Sequence, residues 1–232
     1  MTACHLLCLW LLSSLSPVPT SAPADGISVR NDAPIVDRVM FNRTHPPDNM
    51  PKLKPGEAAL TQCDYECRAA VRYEILKRVK TADHWHAVVR IQHVDLQTRL
   101  TDTIFLPMMA PVLLRAHEEG HREMNERIYR EADAVARTAT ADILSHTWEA
   151  DGADPDAAAK AASDAAVQHA CRVYLDATAD RASRLGDIYD RLTDHGRNQL
   201  YVANAIRLSF LEERKATTQS GELLHPTTNA AR

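Results

Sequence analysis

Pro111-Val112-Leu113-Leu114-Arg115-Ala116-His117-Glu118-Glu119-Gly120-His121-Arg122-Glu123-Met124 opens the part of the chain that decides the fold. Leu114, His117, His121, Met124, Ile128, Ala132 and Val135 recur at spacings of three and four, which places them on one stripe of a helix. The pattern predicts a helix from about 110 to 147, broken by Asp151-Gly152-Ala153-Asp154-Pro155. In that break Asp154 can cap a second helix with Pro155 at its first position. This second helix is expected over about 155 to 192, stopped by Asp194-His195-Gly196. A third, over about 197 to 214, carries Tyr201, Ala205, Leu208 and Leu211, and the polar tail 215–232 is expected to be disordered.

Upstream the period changes to two. Val71, Tyr73 and Ile75 alternate with Arg72, Glu74 and Leu76, and Ala87, Val89 and Ile91 alternate with Val88, Arg90 and Gln92. A further β-rich piece, 101–106, stops at Pro107. These segments predict two or three antiparallel strands. Residues 25–56 contain Pro34, Pro46, Pro47, Pro51 and Pro55 among Asn and Asp, and are expected to be irregular. The expected fold class is therefore α+β: a small antiparallel sheet followed by two long helices and a shorter C-terminal helix, in one domain over 57–214.

Composition narrows the function classes. With 45% hydrophobic and 25% charged residues the chain has a soluble globular balance, and its formal net charge of -4 offers no electrostatic reason to expect nucleic acid. Leu6-Leu7-Cys8-Leu9-Trp10-Leu11-Leu12 is too short to span a bilayer and precedes Ala22-Pro23-Ala24, a small-x-small cleavage pattern. Residues 1–24 are thus expected to be a cleaved signal peptide and the protein secreted or periplasmic. No later segment has the length of a membrane span. Beyond the leader, Cys63, Cys67 and Cys171 predict one disulfide and one remaining thiol, with Cys63–Cys67 and a link from either to Cys171 equally open.

The chemistry lies in His117-Glu118-Glu119-Gly120-His121, an HExxH motif. Histidines at i and i+4 project from one helix face, so their imidazole nitrogens can take two corners of a zinc tetrahedron. Glu118 is placed to act as general base on a water that the metal acidifies to a pKa of about 7. Gly120 is costly in mid-helix, by about 1 kcal/mol relative to alanine, which predicts a close approach of another backbone or of substrate. A catalytic zinc needs a third protein ligand. A histidine six residues after His121 is absent, since position 127 is Arg, and Glu131 follows too closely on the same helix. Glu149 and Asp190 are possible. His195 is the favoured choice, because the second long helix can return alongside the first and bring its end to the metal. Tyr189 is a candidate to hydrogen-bond the oxyanion, Asp190 to orient a ligand histidine, and 101–106 to be an edge strand where a peptide adds by β-pairing.

Three pieces together resemble a bacterial family of predicted secreted zinc-dependent proteases: His117-Glu118-Glu119-Gly120-His121, Thr103-Ile104-Phe105-Leu106-Pro107, and Tyr189-Asp190-Arg191-Leu192-Thr193-Asp194-His195-Gly196. The resemblance covers about 57 to 200. It implies a zincin-like fold and a zinc-dependent peptidase acting on a peptide or protein substrate. It also supports His195, in the His-Gly of the last motif, as metal ligand beside His117 and His121; the expected catalytic residues, Glu118 and Tyr189, come from the chemistry of the residues themselves. The alternative is a non-catalytic exported zinc-binding or helical interaction protein.

Overall fold

A computed structural model of the chain describes residues 26–54 and 56–224, with side chains placed as far as 218. The expected leader, 1–24, lies outside the described residues, as does 225–232.

The spine of the molecule is β4 (Trp85–Pro107), the central strand of a five-stranded mixed sheet. Along one edge, β3 (Leu60–Lys80) runs antiparallel to it from Leu60 opposite Phe105 to Lys80 opposite Trp85. Three short strands share its other edge, end to end. β5 (Thr147–Gly152) is antiparallel beside Trp85–Arg90, β1 (Ile27–Asn31) parallel beside Val94–Thr98, and β2 (Ile35–Phe41) parallel beside Thr101–Pro107.

This corrects the expected zincin-like α+β arrangement of a small antiparallel sheet and two long helices. Two of the four strand pairings are parallel, and they come from 25–56, which is not wholly irregular. Strands of five and seven residues either side of Pro34 are too short to announce themselves by alternation, and gain their partner only when β4 is in place. The segments read as separate strands, around 87–92 and 101–106, are one strand. Its buried face is odd-numbered at Ala87, Val89 and Ile91 and even-numbered at Val94, Leu96, Thr98, Leu100, Asp102 and Ile104. The parity changes where the register against β3 slips between Arg72 and Tyr73, the mark of a β-bulge, which inverts the pattern without ending the strand.

The helices also divide further than expected. The stripe that began at Leu114 is two helices, α1 (Val112–Tyr129) and α2 (Ala132–Ser145). At the joint the Glu131 amide bonds Ile128 O, an i→i−3 tightening, and Arg181 pulls the Glu131 carboxylate toward the following layer at 2.9 Å. No Gly or Pro marks this break, so tertiary contact made it. The next pair is α3 (Pro155–Ala177) and α4 (Ala179–Thr193). Asp154 caps α3 by accepting from the Asp156 and Ala157 amides at 3.0 and 2.8 Å. Between them Thr178 turns its hydroxyl back to Tyr174 O at 2.7 Å. The last helix, α5 (Val202–Leu224), buries Ala205, Ile206 and Phe210, and Tyr201 just before it is exposed. No helix among the described residues is long and apolar enough to cross a membrane.

The helices cover the buried face of the sheet, and an alanine-rich α3 allows close packing on Val89, Ile91 and their neighbours. Cys67 on β3 is joined to Cys171 on α3, with Cα atoms 5.5 Å apart, and Cys63 is the free thiol. Burial pushes the Cys63 thiol up to about 11.

Candidate metal centre

α1 brings three functional side chains to one place by its own geometry. His117 and Glu118 are buried, and His121 is partly buried one turn on. The Nε2 atoms of the two histidines lie 3.3 Å apart. α1 is rotated into this position by its contacts with the sheet. Asn125 donates to Asp102 Oδ1 at 2.7 Å, and the Tyr65 hydroxyl donates to Asn125 O at 2.9 Å. From the outside, Arg38 of β2 holds Glu119 at 2.8 Å.

α4 supplies the other half. Asp190 Oδ1 lies 2.9 Å from His121 Nε2 and 3.2 Å from His117 Nε2, so three donor atoms converge. Tyr189, the residue before it, is fully buried and stacks on the His117 ring at 5.0 Å and 12°. Its hydroxyl donates to His117 O at 3.4 Å. This close approach explains Gly120: a Cβ there would stand 2.1 Å from the Tyr189 oxygen. The costly mid-helix glycine admits a tyrosine rather than substrate or another backbone. Tyr189 is therefore a packing partner behind the histidines, and among the described residues the cleft lining does not include it.

Past Thr193 the chain adopts three successive left-handed residues, Asp194, His195 and Gly196, at φ 49, 51 and 76°. The turn is closed by the His195 amide bonding Asp190 O at 3.0 Å. Gly196 has to be glycine for a second reason, because a Cβ would come 2.8 Å from His117 Cβ. The left-handed conformation costs a non-glycine residue roughly 1–2 kcal/mol, and here it is held on His195. His195 Nδ1 comes to 3.8 Å from Asp190 Oδ1. It groups with Glu57 and Asp190, not with the helix histidines.

Thr193 fixes which ring nitrogen of His117 faces away from the donor cluster as an N–H. Its hydroxyl is 2.7 Å from Tyr189 O, which can only accept, so the proton goes there. Thr193 Oγ1 is then an acceptor for His117 Nδ1–H at 3.2 Å. A neutral His117 consequently presents a bare Nε2 lone pair to Asp190 Oδ1, acceptor facing acceptor at 3.2 Å. Either a proton on Nε2, which lets His117 donate to Asp190, or a metal cation between the two atoms removes that conflict. The donor–donor separations, 2.9, 3.2 and 3.3 Å, are close to the roughly 3.3 Å edge of a zinc tetrahedron with bonds of about 2.0–2.1 Å. The residues present thus fit a zinc ion. Burial pushes the Asp190 carboxyl upward, but His117 and His121 outweigh it and hold the group well below the usual carboxylate range.

The site opens into a cleft of about 360 Å³ between α4 and the start of β3, with Ala59, Thr61, Ser183 and Gly186 among its walls. Glu118 lines this cleft, with its Oε2 accepting from the Thr61 hydroxyl at 2.8 Å. Burial raises the Glu118 carboxyl above its usual range against the opposing pull of His121 and Thr61.

No family model, no characterised protein and no solved structure matches this chain.

Of the residues expected from sequence, the structure brings His117, Glu118 and His121 together at the cleft, with Asp190 as third donor and His195 one step outward. Glu131 pairs with Arg181, and Glu149 sits on β5 beside His86 at 3.6 Å. Thr193 and Glu57 were not singled out. Thr193 lies inside the Tyr189–Gly196 motif three residues after Asp190, and that was its signal. Glu57 had none, being a loop residue beside a proline-rich stretch.

Proposed function

We propose that the protein is a secreted or periplasmic zinc-dependent hydrolase acting on peptides, with zinc held by His117, His121 and Asp190. The observation that carries this reading is the convergence of His117 Nε2, His121 Nε2 and Asp190 Oδ1 within 3.3 Å of one another, with the other ring nitrogen of His117 taken by Thr193. A zinc ion there supplies Lewis acidity, polarising a carbonyl and lowering the pKa of water to about 7. Thr193 fixes the His117 tautomer, and Tyr189 holds the ring plane by stacking. Glu118, steadied through one carboxylate oxygen by Thr61, takes a proton from water in the cleft and returns it to the leaving amine. A buried carboxylate lining the cleft beside the donors is superfluous in a purely structural site, which favours catalysis.

The substrate strand expected to pair at 101–106 has a different place to add. That segment is central, bonded on one side to β2 and on the other to β3. β3 pairs only with β4 among the described residues, so its outer edge is free, and its first residues border the cleft. An extended peptide pairing there would pass Glu118 and the donor triangle.

The test is metal content of the purified full chain beside His117→Ala and Asp190→Ala, followed by peptidase assay of Glu118→Gln. Bound zinc lost in both ligand variants, and activity lost with zinc retained in Glu118→Gln, is the expected result. A wild type that binds no zinc after reconstitution would sink the reading.

A further inference from the structure

The donor triangle is not the end of the metal-binding groups. Glu57, Asp190 and His195 form a second set, each offering one donor atom within 4.8 Å of the others, and it shares only Asp190 with the first. We infer that Glu57 and His195 hold a second divalent cation, with the Asp190 carboxylate common to both ions.

Both outer residues are placed by the backbone. Glu57 closes a turn in which its amide bonds Lys54 O at 3.1 Å and its Oε2 accepts from the Lys54 amide at 2.7 Å. His195 is fixed by the left-handed turn after α4, in a conformation that side-chain-bearing residues rarely adopt. The turn packs so closely on His117 that Gly196 has no space for a Cβ, so His195 is held rigidly relative to the inner donors. Two carboxylates brought this close repel unless positive charge lies between them.

The chemistry of the set suits a zinc or manganese ion. Two carboxylates and one imidazole are hard-to-borderline donors, and all three residues are only partly buried, leaving room for water at the remaining positions. A carboxylate has two oxygens, so Asp190 can serve an inner and an outer ion together. The outer ion faces the cleft, which His195, Glu57 and Asp190 all line, and would give a substrate oxygen a second positive partner. Weaker binding than at the inner site is expected from the greater exposure.

The inference rests on the zinc reading of His117, His121 and Asp190, and one titration separates the two. The full chain, stripped with chelator, is titrated with zinc alone and its stoichiometry read by native mass spectrometry. Wild type, Glu57→Gln, His195→Ala and Asp190→Asn are compared, with circular dichroism of each stripped protein to check folding. The expected result is two zinc ions on the wild type, the second weaker. Glu57→Gln and His195→Ala should keep the first and bind the second at least tenfold more weakly, and Asp190→Asn should impair both. A single zinc on the wild type, unaffected by Glu57→Gln, overturns the second site and leaves the first standing. Two ions retained in both outer variants place the second elsewhere and also overturn it. A wild type that binds one zinc only, lost in Glu57→Gln, would make Glu57 a ligand of one composite site, again against a second ion. No zinc on the wild type removes both readings.

Discussion

The two halves of the candidate centre are built differently. His117, Glu118 and His121 stand on consecutive positions and one further turn of α1, so helix geometry alone sets them near one another. Asp190, Thr193 and His195 come from the last turn of α4 and the left-handed residues after it. Their distances to the histidines depend on how α4 docks against α1, and that docking runs through Gly120 and Tyr189. The first half needs only a helix, whereas the second needs the whole fold. Substitutions that disturb the docking should therefore cost metal binding without touching a donor atom.

Gly120→Ala is the strongest way to break the second half. With a Cβ 2.1 Å from the Tyr189 hydroxyl and 2.7 Å from its ring carbon, a buried, fully packed tyrosine has to move. Overpacking of this kind costs about 3 kcal/mol, more than the helix propensity gained by alanine. Chemical denaturation should show that loss, and the zinc affinity of the remaining folded protein should fall although every ligand is intact. Unchanged stability would mean that α4 can shift outward freely, and the contrast between the halves would fail.

Thr193→Val removes one hydroxyl while keeping the shape. His117 Nδ1 then loses its acceptor, and the tautomer that bares Nε2 is no longer enforced. Zinc affinity should drop 10–100-fold, about 1.4–2.7 kcal/mol, by the usual effect of losing such a partner. Competition with a chromophoric chelator reads it, and Thr193→Ser, which keeps the hydroxyl, should restore most of the affinity.

The first half is also not wholly local, since α1 is anchored to the sheet through Asn125 and Asp102. Asp102 is fully buried on β4, and its Oδ2 has no hydrogen-bond partner among the described residues. Burial pushes its carboxyl up to about 6 from the ordinary 3.8, against the hydrogen bond from Asn125. A folded-state value above the unfolded one means that the proton favours folding. This contribution is complete below about pH 4 and is lost as pH rises through 6, at a cost of about 3 kcal/mol. Asp102→Asn removes that cost but weakens a charge-assisted bond, so a net gain of about 2 kcal/mol is expected at pH 8. Urea denaturation of both proteins should show the difference shrinking toward zero at pH 4. A gain that does not vary with pH would assign it to packing instead.

The same division explains what could be read from the chain in advance. The HExxH spacing located the α1 donors, because i and i+4 share a face in any helix. The Asp154-Pro155 start of α3 and the Asp194-His195-Gly196 end of α4 followed from local backbone chemistry. The sheet was misread where order depends on partners: β1 and β2 exist only as additions to β4, and a bulge concealed that 85–107 is one strand. The break between α1 and α2 carries no sequence mark, and Glu57 belongs to a turn whose purpose appears only beside α4. Asp190 was open both as a third ligand and as an orienting group, with His195 preferred. His195 drew the assignment because it ends the helix expected to return beside the first and stands in the His-Gly of the last motif, while position along the helix end decides which of the two reaches inward.

Gly186 offers the smallest and sharpest comparison, since it is a second mid-helix glycine at the same site. A Cβ there would meet only His121 Cε1 and Nδ1, both at 3.8 Å, an ordinary contact. Nothing in the packing demands glycine, so Gly186→Ala should stabilise the protein by about 0.5–1 kcal/mol through helix propensity and lower unfolded-state entropy. Zinc affinity should stay within twofold. Gly186 nevertheless lines the cleft, where Gly120 faces the buried tyrosine. If Gly186→Ala raises the thermal midpoint and keeps zinc but lowers kcat/KM on peptides, the glycine is there to leave space for substrate. If turnover is unaffected as well, the α4 wall is not where substrate lies, and the free edge of β3 has to carry peptide recognition alone.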